Sequence, residues 1–376
     1  MMSQMMYLIG TMPVWGRDGQ VEGFEIIPLE DLGRPRIDVT VRSSGILMDT
    51  FPACLDLLDS AIIAVSALDE PPESNFVKAH TLTSMADGIP ADDATARIFS
   101  SAPGSATSGV PLAIYANAWH TERDLADIYV ATNGYAYGNN RNGKPLHRQF
   151  MNSLSSTSVS YTKIGTDEYD ILGSPGFFGN IGGMAVASKI ITGRDIKSYF
   201  GDTRVSGAAG VHTLKDEIRR VTKGRLLNPQ WIEGMKAAGY QGAAEIMKRS
   251  GRVYGYGATT DAVDDRIFDD IARTFVNDPE MREFFRENNP FAGEELARRL
   301  LEASERGFWK ADPEVLEKLK NNYLVFEGDL EGIAGDGEYQ GSSTEIASYG
   351  EIEAWKESNG KVMDSVKEMM DRKTGQ

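Results

Sequence analysis

The side chains best suited to metal ligation or nucleophilic chemistry are sparse in this chain. Four histidines, His80, His120, His147 and His212, lie at least 27 residues apart, so none shares a helical turn with another. That spacing offers no local ligand pair of the kind that builds a zinc site. The single cysteine, Cys54, can form neither an intramolecular disulfide nor a thiolate cluster, which fits a reducing compartment. No Gly-x-x-x-x-Gly-Lys-Ser/Thr run and no His-Glu-x-x-His occur, which argues against P-loop ATP hydrolysis and against a zinc-protease arrangement. Gly176, Gly179, Gly182 and Gly183 superficially resemble a dinucleotide-binding turn, but Pro175, Phe177 and Phe178 among them argue against that use.

The elements that would position any chemistry must therefore be read first. A chain of 376 residues is long enough for roughly two domains. Its hydrophobic share of 41% and charged share of 25% are those of a globular protein. The 39 basic and 55 acidic residues leave a net charge of −16, which argues against a nucleic-acid binder working by phosphate neutralisation. No basic residue precedes Arg17, so no secretory or transit leader is expected. The longest apolar run, around Ala61–Val65, is too short to span a bilayer. A cytoplasmic protein is the expectation.

The first 45 residues alternate short β-type runs with turns. Tyr7-Leu8-Ile9, Phe24–Ile27 and Ile37–Val41 read as strands, bounded by Gly and Pro. A helix with Thr50 as N-cap and Pro52 in its first turn follows, its Leu55, Leu58, Ile62, Val65 and Leu68 on one face. Glu70-Pro71-Pro72 should stop it. Residues 73–135 read as short helices between loops, and the Gly-, Asn- and Tyr-rich stretch 134–143 as a loop. From about 212 the pattern is helical, with helix starts at Pro229, Asp278-Pro279 and Asn289-Pro290. No internal repeat is apparent. The final stretch Glu327–Gln376 holds 12 acidic and 5 basic residues. It reads as a solvated, partly disordered acidic tail, with a Gly/Ser linker before a polar helix near 350–371. The fold class expected is an α/β N-terminal part with a small, mostly parallel sheet, followed by a mainly α-helical part.

Whole segments taken together resemble a known family. Gly33–Gly45, reading Gly-Arg-Pro-Arg-Ile-Asp-Val-Thr-Val-Arg-Ser-Ser-Gly, is followed by Asp49-Thr50-Phe51-Pro52 and by Leu68–His80. Ala96–Phe99, Trp119, Asp124–Ala126, Gly134–Gly138, Leu227–Met235, Gly239–Ala243, Ala258–Thr260 and Arg306–Trp309 come in the same order. These blocks resemble the C-terminal region of the cobaltochelatase large subunit, the CobN family, with magnesium chelatase H as its sister. The resemblance covers residues from about 6 to 330. It implies chelatase-like portions over 1–165 and 166–330, with an acidic linker and helical tail over 331–376.

The resemblance also implies a function: insertion of a divalent metal, cobalt most readily and magnesium as the other possibility, into a tetrapyrrole. The expected ring is a corrin precursor, hydrogenobyrinic acid a,c-diamide, in cobalamin biosynthesis. ATP would be used by an AAA+ partner subunit, with accessory chelatase subunits as further partners; a separate chain carrying the N-terminal portion of the large subunit is one partner the resemblance allows. Arg34, Arg36 and Arg42 become candidate clamps for ring carboxylates, unless Arg36 and Arg42 pair with Asp38 and Asp49. Arg97, Trp119, Tyr135 and Tyr137 become candidate ring-pocket residues. Glu70, Glu73 and His80 become candidate proton acceptors or metal relays; no metal ligand set can be named.

One segment departs from the family pattern. Where CobN proteins usually carry Asp-Ser-Asp-Asp-Tyr-Tyr-Gln-Tyr-His-Gly-Gly, this chain reads Gly173-Ser-Pro-Gly-Phe-Phe-Gly-Asn-Ile-Gly-Gly183. Three carboxylates and an imidazole are thereby replaced by Gly173, Pro175, Gly176 and Ile181. A non-catalytic tetrapyrrole- or partner-binding scaffold of the same fold is therefore the alternative expectation, and a magnesium or nickel chelatase component another.

Overall fold

The N-terminal part is built around a short edge strand whose alternate residues face two different layers. In the computed structural model, residues 2–105, 109–164, 166–205, 207–331 and 349–375 are described. Helix α1 (Met2–Ile9) leads into the antiparallel hairpin β1 (Thr11–Trp15) and β2 (Val21–Ile26), then a single turn, α2 (Leu29–Leu32). Tyr7-Leu8-Ile9, expected as a strand, instead closes α1. Met6 and Ile9, three residues apart, bury one helical face, and Gly10 at φ +80° ends the helix. Residues 36–40 then lead into β3 (Val41–Arg42), so only the end of the expected Ile37–Val41 strand is paired.

Helices α3 (Gly45–Thr50) and α4 (Pro52–Ser66) follow. Thr50 is the last residue of α3 and does not cap α4. Ser44 caps α3 by accepting from the Leu47 N–H, while Pro52 keeps Phe51 out of the helical region and sets the break there. The apolar stripe of α4 is as expected, with Leu55, Leu58, Ile62 and Val65 buried.

Next come α5 (Phe76–Ala86), α6 (Ala91–Ala94), β4 (Ile98–Ser100), α7 (Val110–Tyr115) and α8 (Glu122–Asn133). The 134–143 stretch is not a loop but the start of a hairpin, β5 (Tyr135–Gly138) and β6 (Arg141–Pro145), before α9 (His147–Ser155). Tyr135 and Tyr137 alternate with Ala136, and Asn140 takes the left-handed conformation in the tight turn. The sheet order is β3-β4-β5-β6. Only β3–β4 is parallel in it, so the expected mostly parallel sheet is a mixed one.

Val41, Ile98 and Tyr137 face α4, with Val39 packed on the same cluster. Phe99 and Ala136 face the larger core, which contains residues of α8 and α9. Residues 39 and 41 therefore point to the α4 side, and residues 38, 40 and 42 to the other.

The second part is mainly helical, as expected. It holds a three-stranded sheet of β7 (Val159–Ile164), β8 (Lys197–Asp202) and β9 (Gly210–Thr213), with α10 (Pro175–Thr192) between the first two strands. β7–β8 is parallel and β8–β9 antiparallel. Then come α11 (Leu214–Val221), a π-helical turn (Thr222–Leu226), α12 (Pro229–Ala237) and α13 (Gly239–Thr259). The same order recurs fifty residues on: α14 (Asp265–Ile271), a π-helical turn (Ala272–Val276), α15 (Pro279–Asn288) and α16 (Pro290–Glu305). Sequence reading missed this repeat because the matching residues are helix starters and a few charges, not blocks of identity. Glu245–Arg249 and Glu295–Arg299 are i,i+4 ion pairs at corresponding places.

Helices α17 (Pro313–Glu331) and α18 (Tyr349–Thr374) complete the chain. The helix expected near 350–371 is α18. It is not wholly solvated: Val366 and Met370 are fully buried, and Asp371 pairs with Arg123 of α8 at 2.7 Å. The expected Gly/Ser linker lies outside the described residues. The larger core runs from Ala96 to Met370 and continues across the 165/166 division. Among the described residues, no helix is long and apolar enough to cross a membrane.

Helix α10 is central to this packing and its glycines make that possible. A Cβ at Gly182 would strike Thr259 at the end of α13, and one at Gly183 would strike the Tyr129 ring of α8. Gly183→Ala is expected to cost about 2 kcal/mol by overpacking, read as a lower unfolding midpoint in urea.

Candidate functional site

Arg97 precedes β4 and its guanidinium is almost fully buried, so it requires an anion. Asp38 supplies it, accepting from Arg97 Nε at 2.9 and 3.0 Å through its two oxygens. Arg97 also donates to the carbonyls of Ala94 and Ala96 and to Thr81 Oγ1. The same carboxylate meets His80 of α5, with Asp38 Oδ2 2.8 Å from Nδ1. Burial pushes the Asp38 carboxyl up, but Arg97 and His80 together outweigh it and hold it below its usual range.

This arrangement defines what His80 can do. With Asp38 ionised, the neutral imidazole carries its proton on Nδ1 and presents the Nε2 lone pair. Nε2 has no hydrogen-bond partner among the described residues, and the ring is one-third exposed. Phe76, one turn earlier on α5 and itself exposed, stacks on it at 6.2 Å between centroids. A buried acid, an oriented base and an adjacent exposed aromatic together form a proton-accepting surface suited to a planar ligand.

Two residues along from Thr40, Arg42 lies on the same side of the strand as Asp38. Asp38 and Arg42 are at most about 14 Å apart along an extended chain. Arg42 donates from Nε to Asn133 Oδ1 of α8 at 3.2 Å. Burial pushes its guanidinium below its usual value, with nearby Tyr129 acting the other way.

The remaining expected residues are placed elsewhere. Arg36 is fully buried and donates to Glu70 twice at 2.8 Å, and to the carbonyls of Ile9, Gly10 and Ile27. It is a strut tying α1, β2 and the α4–α5 turn together, with no donor edge left for a ligand clamp. Glu70 is likewise engaged: hydrogen bonds from Arg36, and then its charge, hold the carboxyl low. Glu73 is exposed on the turn before α5, seven residues from His80. Arg34 donates to the carbonyls of Tyr7, Leu8 and Pro35 and lies over the Tyr7 ring.

Tyr137 is buried on the α4 side of the sheet, donating to the Ser101 carbonyl at 2.6 Å. Tyr135 packs on that same cluster and meets His147 edge-on. Both tyrosines thus lie on the opposite sheet face from Arg42. Trp119 is buried beneath Arg306, whose guanidinium sits 3.9 Å from the ring centroid. The structure therefore brings Arg97 and His80 together on Asp38, sets Arg42 against α8 through Asn133, and does not gather the other expected residues into one pocket.

Residues 1–316 match the family described as CobN/Magnesium Chelatase. The chain belongs to this family. An uncharacterized protein of Methanocaldococcus jannaschii is 48% identical over 96% of this chain and 29% of its own length. The aerobic cobaltochelatase subunit CobN of Pseudomonas aeruginosa is 37% identical over 86% of this chain and 27% of its own. Among solved structures, the catalytic subunit of cobaltochelatase from Mycobacterium tuberculosis superposes with a TM-score of 0.83 at 35% identity, covering 87% of this chain and 28% of that one. The chain thus spans less than a third of the length of these relatives.

In this CobN/magnesium chelatase region the 170–183 segment is a structural joint. Asp170 is buried and held by Arg225 at 2.7 Å and Arg249 at 3.1 Å. Ser174 caps α10, and Phe178 packs edge-on against Tyr115 and Tyr256. Among the described residues, no group of three metal-ligating side chains occurs there or elsewhere.

Sequence reading missed Asn133 and Tyr129, and treated Asp38 only as a possible salt-bridge partner. No local signal could have found the dyad, since Asp38 lies 42 residues from His80 and 59 from Arg97. Asp38→Asn is expected to destabilise the fold by about 3 kcal/mol, because Arg97 loses its counter-charge. Asp38 has a lowered folded-state pKa, so its contribution is present above the ordinary carboxylate range and lost as pH falls through and below it. Urea titrations between pH 7 and 3 should therefore show a flatter acid limb for the variant than for the wild type.

Proposed function

We propose that this chain supplies ring and proton handling in a cobaltochelatase large subunit that inserts cobalt into hydrogenobyrinic acid a,c-diamide, in the cytoplasm. The observation that carries this reading is the Asp38-oriented imidazole of His80, set in a region whose solved neighbour is a cobaltochelatase catalytic subunit. Metal insertion into a corrin requires its inner N–H proton to leave the ring, and an imidazole with an Nε2 lone pair is a group able to accept that proton. Phe76 offers an apolar surface beside it for the macrocycle face. Cobalt is the substrate cation, and an AAA+ partner subunit hydrolyses ATP in keeping with the missing phosphate loop. Accessory subunits and the rest of the large-subunit polypeptide act with this region.

One observation favours a second reading, a ring- or partner-binding scaffold without insertion activity. In the 173–183 segment, the family's carboxylate and imidazole positions are taken by Gly173, Pro175, Gly176 and Ile181, the last three of them within α10 itself. A single assay separates the readings, and magnesium or nickel insertion with them. The protein is mixed with hydrogenobyrinic acid a,c-diamide or protoporphyrin IX, with cobalt, magnesium or nickel, in the presence of the ATPase and accessory subunits and the remaining portion of a related large subunit. Absorbance should report binding and cobalt insertion with the corrin precursor. His80→Ala should slow insertion by about a hundredfold while ring binding persists. Ring binding without insertion selects the scaffold; no spectral change with any ring removes both tetrapyrrole readings and leaves only a partner-binding scaffold.

A further inference from the structure

Arg42 is a mostly buried guanidinium with no carboxylate within ion-pair distance among the described residues. Its Nε is used by Asn133. The Asn133 carboxamide is fixed in that orientation, because its Nδ2 donates to the Tyr129 carbonyl at 3.0 Å and to Thr132 Oγ1 at 3.0 Å. Nη1 and Nη2, the end-on pair of donors that matches a carboxylate, have no partner among the described residues. On α8, one turn before Asn133, the Tyr129 hydroxyl is fully buried and has no hydrogen-bond partner among the described residues. Tyr129 is close enough to Arg42 to interact with its charge.

Other buried arginines in this part of the chain are treated differently. Arg36 meets Glu70, Arg97 meets Asp38 and Arg141 meets Asp59, each within 3 Å. In a chain with net charge −16, no ion pair to Arg42 is formed among the described residues, and the side chain of Asp49, its expected partner, lies outside them. A part-buried cation without a counter-charge and a buried hydroxyl without a partner, each within reach of the other's field, are costly unless something else fills them.

We infer that Arg42, Tyr129 and Asn133 form a carboxylate subsite, with Nη1 and Nη2 of Arg42 gripping the two oxygens end-on and the Tyr129 hydroxyl donating a third hydrogen bond. Asn133 is the positioning residue that holds the fork. The ligand is a peripheral carboxylate of the tetrapyrrole. This assignment rests on the ring-binding reading above, since Arg42 shares a strand face with the His80 dyad.

Three full-length variants, Arg42→Met, Arg42→Lys and Tyr129→Phe, test the inference. Without ligand, Arg42→Met should melt about 2 °C higher than wild type, because an unpaired buried charge is replaced by an apolar chain of similar volume. A lower melting temperature would make Arg42 a structural residue and overturn the inference. Wild type should bind hydrogenobyrinic acid a,c-diamide more tightly than its fully methyl-esterified form. That preference should drop about tenfold in Arg42→Met, drop less in Tyr129→Phe and be partly restored in Arg42→Lys. An unchanged preference in Arg42→Met would also overturn it. If wild type binds no ring, the tetrapyrrole reading fails alone. The subsite is then read by citrate, which should raise the wild-type melting temperature above that in sodium chloride of equal ionic strength and not that of Arg42→Met. No citrate effect on wild type would then reject the subsite as well.

Discussion

A buried guanidinium has to be neutralised, and in this protein one carboxylate does so while also aiming a histidine. Arg97 is locked in place by the backbone carbonyls of the α6–β4 turn as well as by Asp38. Once Asp38 is fixed there, the chain leading to β3 has its register set. Val39 and Val41 fall into the α4 cluster, and Arg42 falls on the opposite side beside α8. The tautomer of His80 follows from the same contact. Stability and chemistry are therefore coupled at one residue, and a change at Asp38 affects both.

Helix packing supplies the rigid frame behind that strand. Helix α10 touches α8 and α13 closely because small residues remove side-chain bulk at the crossings: Gly183 against Tyr129, Gly182 against Thr259, and Gly255 of α13 against Phe178. Tyr129 is thereby held from behind by α10 while its hydroxyl lies next to Arg42. Gly183 of the 173–183 segment thus sets the position of the Tyr129 ring.

Much of this was legible in the sequence where the signal is local. The α4 stripe, the proline-marked helix starts and the final helix all depend on residues within a few turns of each other. The mixed sheet and the 135–145 hairpin were not legible, because short strands carry weak patterns and Gly-Asn-rich text reads as loop until pairing is known. The candidate site was half legible. His80, Arg97 and Arg42 were found through resemblance, but their roles depend on Asp38, Asn133 and Tyr129, which lie far away in the chain. Arg36 and Glu70 show the converse. Their types suggested ligand binding and proton transfer, while burial and reciprocal hydrogen bonding commit them to holding the N-terminal layer together.

The repeated helical unit explains how the two parts of the molecule are joined. In each copy a glutamate one turn earlier on the helix pairs with an arginine, leaving the rest of that guanidinium to reach outward. Arg249 in the first copy extends to Asp170 and lies over Trp231. Arg299 in the second lies over Tyr115 of α7, 4.4 Å from its ring centroid. Equivalent positions in a duplicated framework thus anchor two different segments, one at the start of α10 and one in the loop-rich stretch before α8. Asp170, with both its oxygens engaged by arginines and its turn closed by the Leu172 N–H, is spent on that anchoring. The carboxylate that survives from the family's acidic segment is therefore a fastening, held by Arg225 and Arg249 rather than left open.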